Sequence, residues 1–461
     1  MSIEQILAIL IFAAMFIAIM SGKIHRYIPA LIGGALALIL ILTLVEPGLQ
    51  NLWHVLRLND FVDPHWWYGK HVAEAASNGS PQIGGVNWQT MVFIGGMMVM
   101  VEGLGAVGFF RWLCLLVAKL VKYRVLPILV TFMLLSGFLS MFIDSITVML
   151  FLASVTIELA RLLKFDPVPV IIAEIFAANT GGSATMSGDP PNIIIGTHFN
   201  YTFSDFILNT GIIAWIGMLV ALAFFYLVFR KTLTQSSSGN PAGTPSRYPE
   251  PGEAILNPRL FRINTAIFIL VIVLLVTHAN TGLSVALIGC IAASLTLIAA
   301  RGQVRHILKG VDWRTLLFFL GLFICVGGLE VTGVLQKLAD LIGDASGGSL
   351  MIAITFILWI SAFASALIDN IPFAATMCPV IGRLAATISP NAQAPLAWSL
   401  ALGTDIGGNG TPIGASANVV GIAIAEKEGY KIGWGRYCKY AFPAMILVVA
   451  ICNIYLVLRY A

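Results

Sequence analysis

Two stretches of this sequence set polar and conformationally free residues in the middle of long apolar runs. The first reads Asn179-Thr-Gly-Gly-Ser-Ala-Thr-Met-Ser-Gly-Asp-Pro-Pro-Asn192, and the second Asp405-Ile-Gly-Gly-Asn-Gly-Thr-Pro-Ile-Gly-Ala-Ser-Ala-Asn418. Gly and Pro interrupt a helical hydrogen-bond ladder and leave carbonyls and amides unpaired. Freed carbonyls coordinate cations, and the N-terminus of the half-helix that follows favours anions. The candidate binding residues are Asn179, Ser183, Thr185, Gly188, Asp189 and Asn192 in the first break, and Asp405, Asn409, Thr411, Gly414, Ser416 and Asn418 in the second. One such break reads equally well as a packing kink between close helices. Two breaks in matching positions point to a site.

Two further carboxylates, Asp144 and Asp369, lie at the middle of apolar segments near 126–163 and 347–390. A charge at membrane depth costs ~2.5–3.5 kcal/mol even on insertion scales, so these residues need a reason to be there. Small polar neighbours flank them: Ser145 and Thr147 beside Asp144, Asn370 and Pro372 beside Asp369. Such a carboxylate binds Na⁺, carries a proton, or caps a helix N-terminus, and capping is compatible with ion binding. The candidate Na⁺ positions are Asp144, Gly188, Asp369, Asn370 and Gly414. Asp189 stands opposite Ala415 and Asp405 opposite Asn179 when the two halves are aligned, so the two breaks differ in charge. Glu102, Glu174 and Glu330 are weaker candidates.

The elements that must position these residues are membrane helices. Of 461 residues, 58% are hydrophobic and 10% charged, against about 25% charged in a soluble domain. Mean hydropathy is +0.91. So much apolar surface requires the bilayer as solvent. Ten spans fall near 3–20, 27–46, 89–107, 167–197, 206–229, 261–277, 282–300, 313–331, 393–425 and 441–458. The segments holding Asp144 and Asp369 are too long for one helix and read as re-entrant hairpins with polar tips. With the N-terminus and C-terminus outside, all but five of the 26 Lys and Arg fall on cytoplasmic connections; the five are Arg57, Lys70, Lys337, Arg383 and Arg459. The basic residues form no stripe, so the net charge of +4 is not a nucleic-acid signal. The six Cys form no CxxC pair and read as apolar packing residues.

The chain repeats itself about a Ser-, Gly- and Pro-rich linker. An offset of 225 aligns Trp88–Gly108 with Trp313–Gly333 at eight identities, and places Asp144 on Asp369. One more residue of offset aligns Asn192 with Asn418. The organisation expected is a first repeat at 1–230, a flexible cytoplasmic linker at 231–260, and a second repeat at 261–461. Five spans per half make the repeats inverted, the architecture of many secondary transporters. Gly95-Gly96 and Gly327-Gly328 are the expected points of close helix approach. Outside the breaks there is no nucleophile–base set, HExxH motif or phosphate loop, so an enzyme is not expected.

The runs Ser365-Ala-Leu-Ile-Asp-Asn-Ile-Pro372, Gly407-Gly-Asn-Gly-Thr-Pro-Ile-Gly-Ala-Ser-Ala-Asn418 and Thr180-Gly-Gly-Ser-Ala-Thr-Met-Ser-Gly-Asp-Pro-Pro-Asn192 resemble the arsenite-permease and melanosomal P-protein branch of the ion transporter superfamily. That superfamily includes citrate and dicarboxylate carriers and sodium/proton antiporters. The resemblance covers the chain after about residue 89. It implies an elevator-type carrier in the inner membrane, a homodimer with a scaffold and a moving transport unit. The resemblance further implies a small inorganic or organic ion as substrate, with Na⁺ or H⁺ as coupling ion and no other cofactor. The dicarboxylate carriers hold sodium and substrate with a Ser-Asn-Thr motif at each tip. Here the tips read Ile-Asp-Ser-Ile-Thr147 and Ile-Asp-Asn-Ile-Pro372, with Asp in place of Ser. Extra negative charge opposes a dicarboxylate and favours cation or proton coupling, or a neutral substrate such as arsenous acid. A transporter of the arsenite-permease type is the leading expectation. A sodium/proton antiporter, a dicarboxylate carrier and a passive anion channel are its alternatives.

Overall fold

The computed structural model describes residues 2–20, 24–45, 56–68, 85–238, 248–389 and 391–461. Lys23, Lys70, Arg247, most of the outer loop near 47–86 and the middle of the expected linker lie outside the described residues. The described chain is all-helical apart from one isolated bridge between Tyr68 and Leu283.

Eighteen helices of ten or more residues are present among the described residues, and they fall into two series of nine. The first is α1 (Ile3–Met20), α2 (Tyr27–Leu40), α3 (Trp88–Ala106), α4 (Phe109–Leu120), α5 (Val125–Leu139), α6 (Ser145–Leu163), α7 (Val168–Gly182), α8 (Pro190–Phe199) and α9 (Ile212–Ser238). The second is α10 (Pro258–Thr281), α11 (Val285–Ala300), α12 (Trp313–Val331), α13 (Val334–Ser346), α14 (Leu350–Leu367), α15 (Asn370–Ile388), α16 (Gln393–Gly407), α17 (Ser416–Lys427) and α18 (Trp434–Tyr460). Each series holds a hairpin (α5–α6, α14–α15) and a helix broken in two (α7/α8, α16/α17).

Among the described residues, eleven helical stretches are long and apolar enough to cross a membrane, against the ten spans expected from the sequence. Eight are the unbroken spans, and the other three are the hairpin arms α6, α14 and α15. The sequence placed these arms in re-entrant hairpins, but at 18 or 19 residues each has the length of a full span. The halves of the broken helices fall short of that length.

The polar residues at the turns explain where the helices start. Asp144 caps α6, its Oδ1 accepting from Thr147 N at 2.9 Å. Asp369 caps α15, accepting from Ile371 N at 3.2 Å. Asn87 and Asp312 cap α3 and α12 in the same manner, through Thr90 N at 3.1 Å and Thr315 N at 3.2 Å. Each satisfies an amide that an apolar surrounding would leave unpaired.

Small residues let the two series cross closely. A Cβ on Gly96 of α3 would stand 2.2 Å from the Gly289 carbonyl oxygen on α11, and one on Gly34 of α2 would stand 2.7 Å from that of Gly321 on α12. Gly96 therefore serves as expected. Gly95 makes only ordinary contact with Leu316; on α12 the tightest crossing is at Gly321, and Gly328 is also close to α2, where an added Cβ would stand 3.2 Å from that of Ala37. Each hairpin packs on both broken helices: α5 on α7 and α6 on α17, then α14 on α16 and α15 on α8.

Candidate functional site

The two breaks are built alike. Asn192 Nδ2 donates to the carbonyls of Gly182 and Thr185, both at 3.0 Å. Asn418 Nδ2 donates to those of Gly408 and Thr411, both at 2.7 Å. Each Asn thus re-satisfies carbonyls that the interruption frees. Thr185 and Thr411 donate their hydroxyls to the Met141 and Ala366 carbonyls, tying each break to the adjacent hairpin arm. Gly188 and Gly414 are needed for close approach. A Cβ would lie 2.3 Å from the Gly182 oxygen at the first and 2.5 Å from the Gly408 oxygen at the second.

The hairpin tips converge on the first break. Ser145, at the start of α6, donates to Asp189 Oδ1 at 2.6 Å. Asn370, at the start of α15, donates to Asp189 Oδ2 at 2.7 Å. One buried carboxylate therefore joins tip to tip. The breaks also touch directly, since Asn179 Nδ2 donates to Asn409 Oδ1 at 3.0 Å and to Asn418 Oδ1 at 2.8 Å. Asp405 is fully buried beside Asp189 and Asn192.

Asp144 spends both oxygens on Thr147, the second accepting the hydroxyl at 2.8 Å. Asp369 has a partner that the sequence reading missed. Arg26, at the start of α2, donates through Nη1 to Asp369 Oδ2 at 2.7 Å and to Ser416 Oγ at 2.6 Å. Its Nη2 donates to Thr315 Oγ1 at 3.0 Å, and the guanidinium stacks over Phe318 at 5.1 Å. In the sequence Arg26 reads as one of the topological charges of a short connection. The signal that it belonged to the site was charge balance: four aspartates at depth call for a cation, and no Lys or Arg lies within the breaks or tips.

The structure brings together Asp144, Ser145, Asn179, Asp189, Asn192, Asp369, Asn370, Asp405, Asn409, Ser416 and Asn418. Ser183 turns its hydroxyl back to the Thr180 carbonyl at 2.7 Å, and Thr147, Thr185 and Thr411 are engaged in caps and ties. Glu174, on α7, is buried and accepts the Thr156 hydroxyl at 2.5 Å. Glu330 stands 4.0 Å from Arg383.

The profile of the citrate transporter family matches residues 15–403 of the chain. An uncharacterized transporter of Mycobacterium bovis is 31% identical over 458 residues, covering 99% of both chains. The human P protein is 30% identical over 457 residues, covering 81% of this chain and 54% of its own length. Among solved structures, Neisseria gonorrhoeae MtrF, described as illuminating a class of antimetabolite efflux pumps, superposes with a TM-score of 0.54 over 91% of this chain and 85% of its own, at 13% identity. The YdaH transporter of Alcanivorax borkumensis gives 0.51, over 86% and 89%, at 13% identity. These two likenesses are of fold alone. With broken helices and paired hairpins held in an all-helical membrane fold, the chain belongs to the citrate transporter family and is a membrane transporter.

Proposed function

We propose that this protein is a secondary active transporter that carries a small anion or neutral oxyacid, coupled to H⁺ or Na⁺. The observation that carries the reading is Asp189, whose two oxygens accept Ser145 from one hairpin tip and Asn370 from the other. Two hairpins and a broken helix are pinned at one buried carboxylate. Pulling them apart within a bilayer would strand polar atoms at a cost of several kcal/mol each. It is cheaper to move them together, so the hairpins and broken helices travel as one body against the remaining spans. The protein works as a homodimer in the inner (plasma) membrane, with both termini outside.

Arg26 supplies positive charge beside Ser416, at the N-terminus of α17. Oxygens of an anion or an oxyacid suit that combination of guanidinium and helix end. Asp369 holds the same guanidinium, so an incoming anion competes with it. The family's name puts citrate among the anions to test, and the Asp-containing tips favour arsenous acid. Purified protein in proteoliposomes is loaded in turn with citrate, succinate and arsenite, under an imposed Na⁺ or pH gradient. Uptake of one of them above its equilibrium level, dependent on one gradient, is the expected result. Equilibration independent of both gradients would instead reveal a passive channel and sink the reading.

A second reading, sodium/proton antiport, is favoured by charge balance. Arg26 pairs with Asp369, and no ion pair is made by Asp144, Asp189 or Asp405 among the described residues. Proton flux driven by Na⁺ with no anion present would select it.

A further inference from the structure

Across the two halves Asn179 and Asp405 occupy equivalent places, and so do Asn418 and Asn192. One of these pairs makes a hydrogen bond, Asn179 Nδ2 donating to Asn418 Oδ1 at 2.8 Å. The other cannot. Asp405 lies beside Asn192, but Asn192 Nδ2 has given both hydrogens to the Gly182 and Thr185 carbonyls. What Asn192 has left is Oδ1, which has no hydrogen-bond partner among the described residues, and both Asp405 oxygens lack one too. Asn179, in the first break, keeps a spare acceptor of its own. Its Nδ2 is spent on Asn409 and Asn418, and its Oδ1 is unpartnered.

Flipping the amides gives no relief. Asn418 Nδ2 is held by two carbonyls, so Asn418 Oδ1 must face Asn179 Nδ2. The same logic fixes Asn192 through its own two carbonyls. The outcome is four oxygens, on three fully buried side chains, with no donor for any of them. Buried acceptors without partners are rare enough to demand a cause.

We propose that Asp405, with the Asn192 side-chain carbonyl beside it, binds one small monovalent metal cation of the sodium class, inside the broken helices and apart from the hairpin tips. The site deepens the coupling part of the proposed function and rests on that reading. The ligand set is all oxygen, carboxylate and amide carbonyl, which suits a hard cation. Asp405 is the carboxylate with free lone pairs, because its neighbour Asp189 already accepts from Ser145 and Asn370. One free carboxylate compensates a single charge. Among the described residues no three His, Cys, Asp or Glu gather as a divalent or transition metal would want. A proton on Asp405 can serve the Asn192 oxygen but leaves the second Asp405 oxygen without a donor, whereas a metal ion contacts several oxygens at once. The tips are poorer hosts. Asp144 is spent on its cap, and Arg26 already neutralises Asp369.

The test uses the full chain in detergent, with melting temperature read in NaCl, KCl and choline chloride at equal ionic strength and at two pH values. Sodium should raise the melting temperature saturably. Asp405→Asn installs the residue of the first half and restores donor to acceptor pairing. It should melt no lower than wild type without sodium, and should raise the half-saturating sodium concentration at least about tenfold. Asp405→Ser, a second variant in case the first does not fold, should behave alike. Asp166→Asn, at a surface ion pair with Arg436, should keep the wild-type response. Three results would each overturn the proposal: no sodium effect on wild type, a full sodium response in both Asp405 variants, or stabilisation that follows acid rather than sodium. If no anion is transported but the Asp405-dependent sodium response persists, the substrate reading fails and the cation site stands.

Discussion

Arg26 Nη1 stands 2.7 Å from Asp369 Oδ2, which ion-pairs the start of the second span to a hairpin tip 343 residues further along. The same guanidinium bonds Thr315 and stacks on Phe318, both on α12, and bonds Ser416 on α17. A single side chain therefore bridges α2 and α12 to the hairpin and broken helix of the second half. In the proposed mechanism this is the contact that must break when the mobile unit leaves.

Arg26→Ala should weaken that hold. Removing a charge-assisted partner from a partly exposed carboxylate costs about 1 kcal/mol after allowing for solvent screening. Arg26→Lys keeps the charge but loses the fork that reaches Asp369, Ser416 and Thr315 together, and should recover only part of the loss. A double-mutant cycle with Asp369→Asn, read as thermal stability and as uptake rate, should show coupling of about 1 kcal/mol. Additive effects would mean that the pair does not hold the two parts together.

Asp189→Ala should uncouple the tips. Alanine removes both acceptors, so the Ser145 hydroxyl and the Asn370 amide each lose their buried partner. Losses of this kind run to about 1.5–3 kcal/mol, or roughly 10–100-fold in rate where the contact is needed throughout the cycle. Uptake in proteoliposomes measures it, beside a thermal melt to separate lost transport from lost folding. Wild-type uptake in this variant would remove Asp189 as the joint.

Gly188→Ala and Gly414→Ala should each disrupt the breaks, because a Cβ would stand 2.3 Å and 2.5 Å from carbonyl oxygens that cannot retreat. Overpacking of a rigid backbone contact costs about 1–3 kcal/mol, enough to lower the melting temperature measurably. Gly252→Ala, where nothing lies within 4 Å, is the matched control and should be neutral.

The parts of this site that sequence made legible are those that break a pattern. Gly, Pro and Asp inside apolar runs have few innocent explanations in a bilayer, so the breaks and Asp-capped tips stood out, and the repeat doubled the signal. Arg26 did not stand out because His25 and Arg26 look like any cytoplasmic connection; only the fold carries Arg26 to Asp369. Ser183, Thr185 and Thr411 were legible as polar residues in the breaks, but not their bonding to backbone carbonyls, which depends on where the hairpin arms pack. The difference between Asp405 and Asn179 was visible in the alignment of the halves. Its consequence, an acceptor facing an acceptor, needed the orientation of four amides.

The capping residues of α3 and α12 lead to the last prediction. Asn87 with Thr90, and Asp312 with Thr315, are the same device at the starts of equivalent helices. The site lies at only one of the two. Thr315 is bonded to the Arg26 that holds Asp369, and Asp312 is close enough to Asp144 for their charges to interact. At the other end, Asn87 donates to Thr197 at 2.7 Å, and the hydroxyls of Thr90 and Thr197 share a hydrogen bond of 2.8 Å. Thr197 lies near the C-terminal end of α8, away from the tips. Two halves of like construction can exchange their conformations, and the exchange would bring the tips to the Asn87 end instead. Spin labels at Ile413 and Phe363, both exposed and both on the proposed mobile unit, should keep their separation in every state. The distance from Ile413 to a label at Leu317 on α12 should grow as the distance to one at Gln89 on α3 shrinks. Constant distances to both helices, with Phe363 moving away from Ile413 instead, would mean that the hairpin opens locally over a fixed site and that no unit travels.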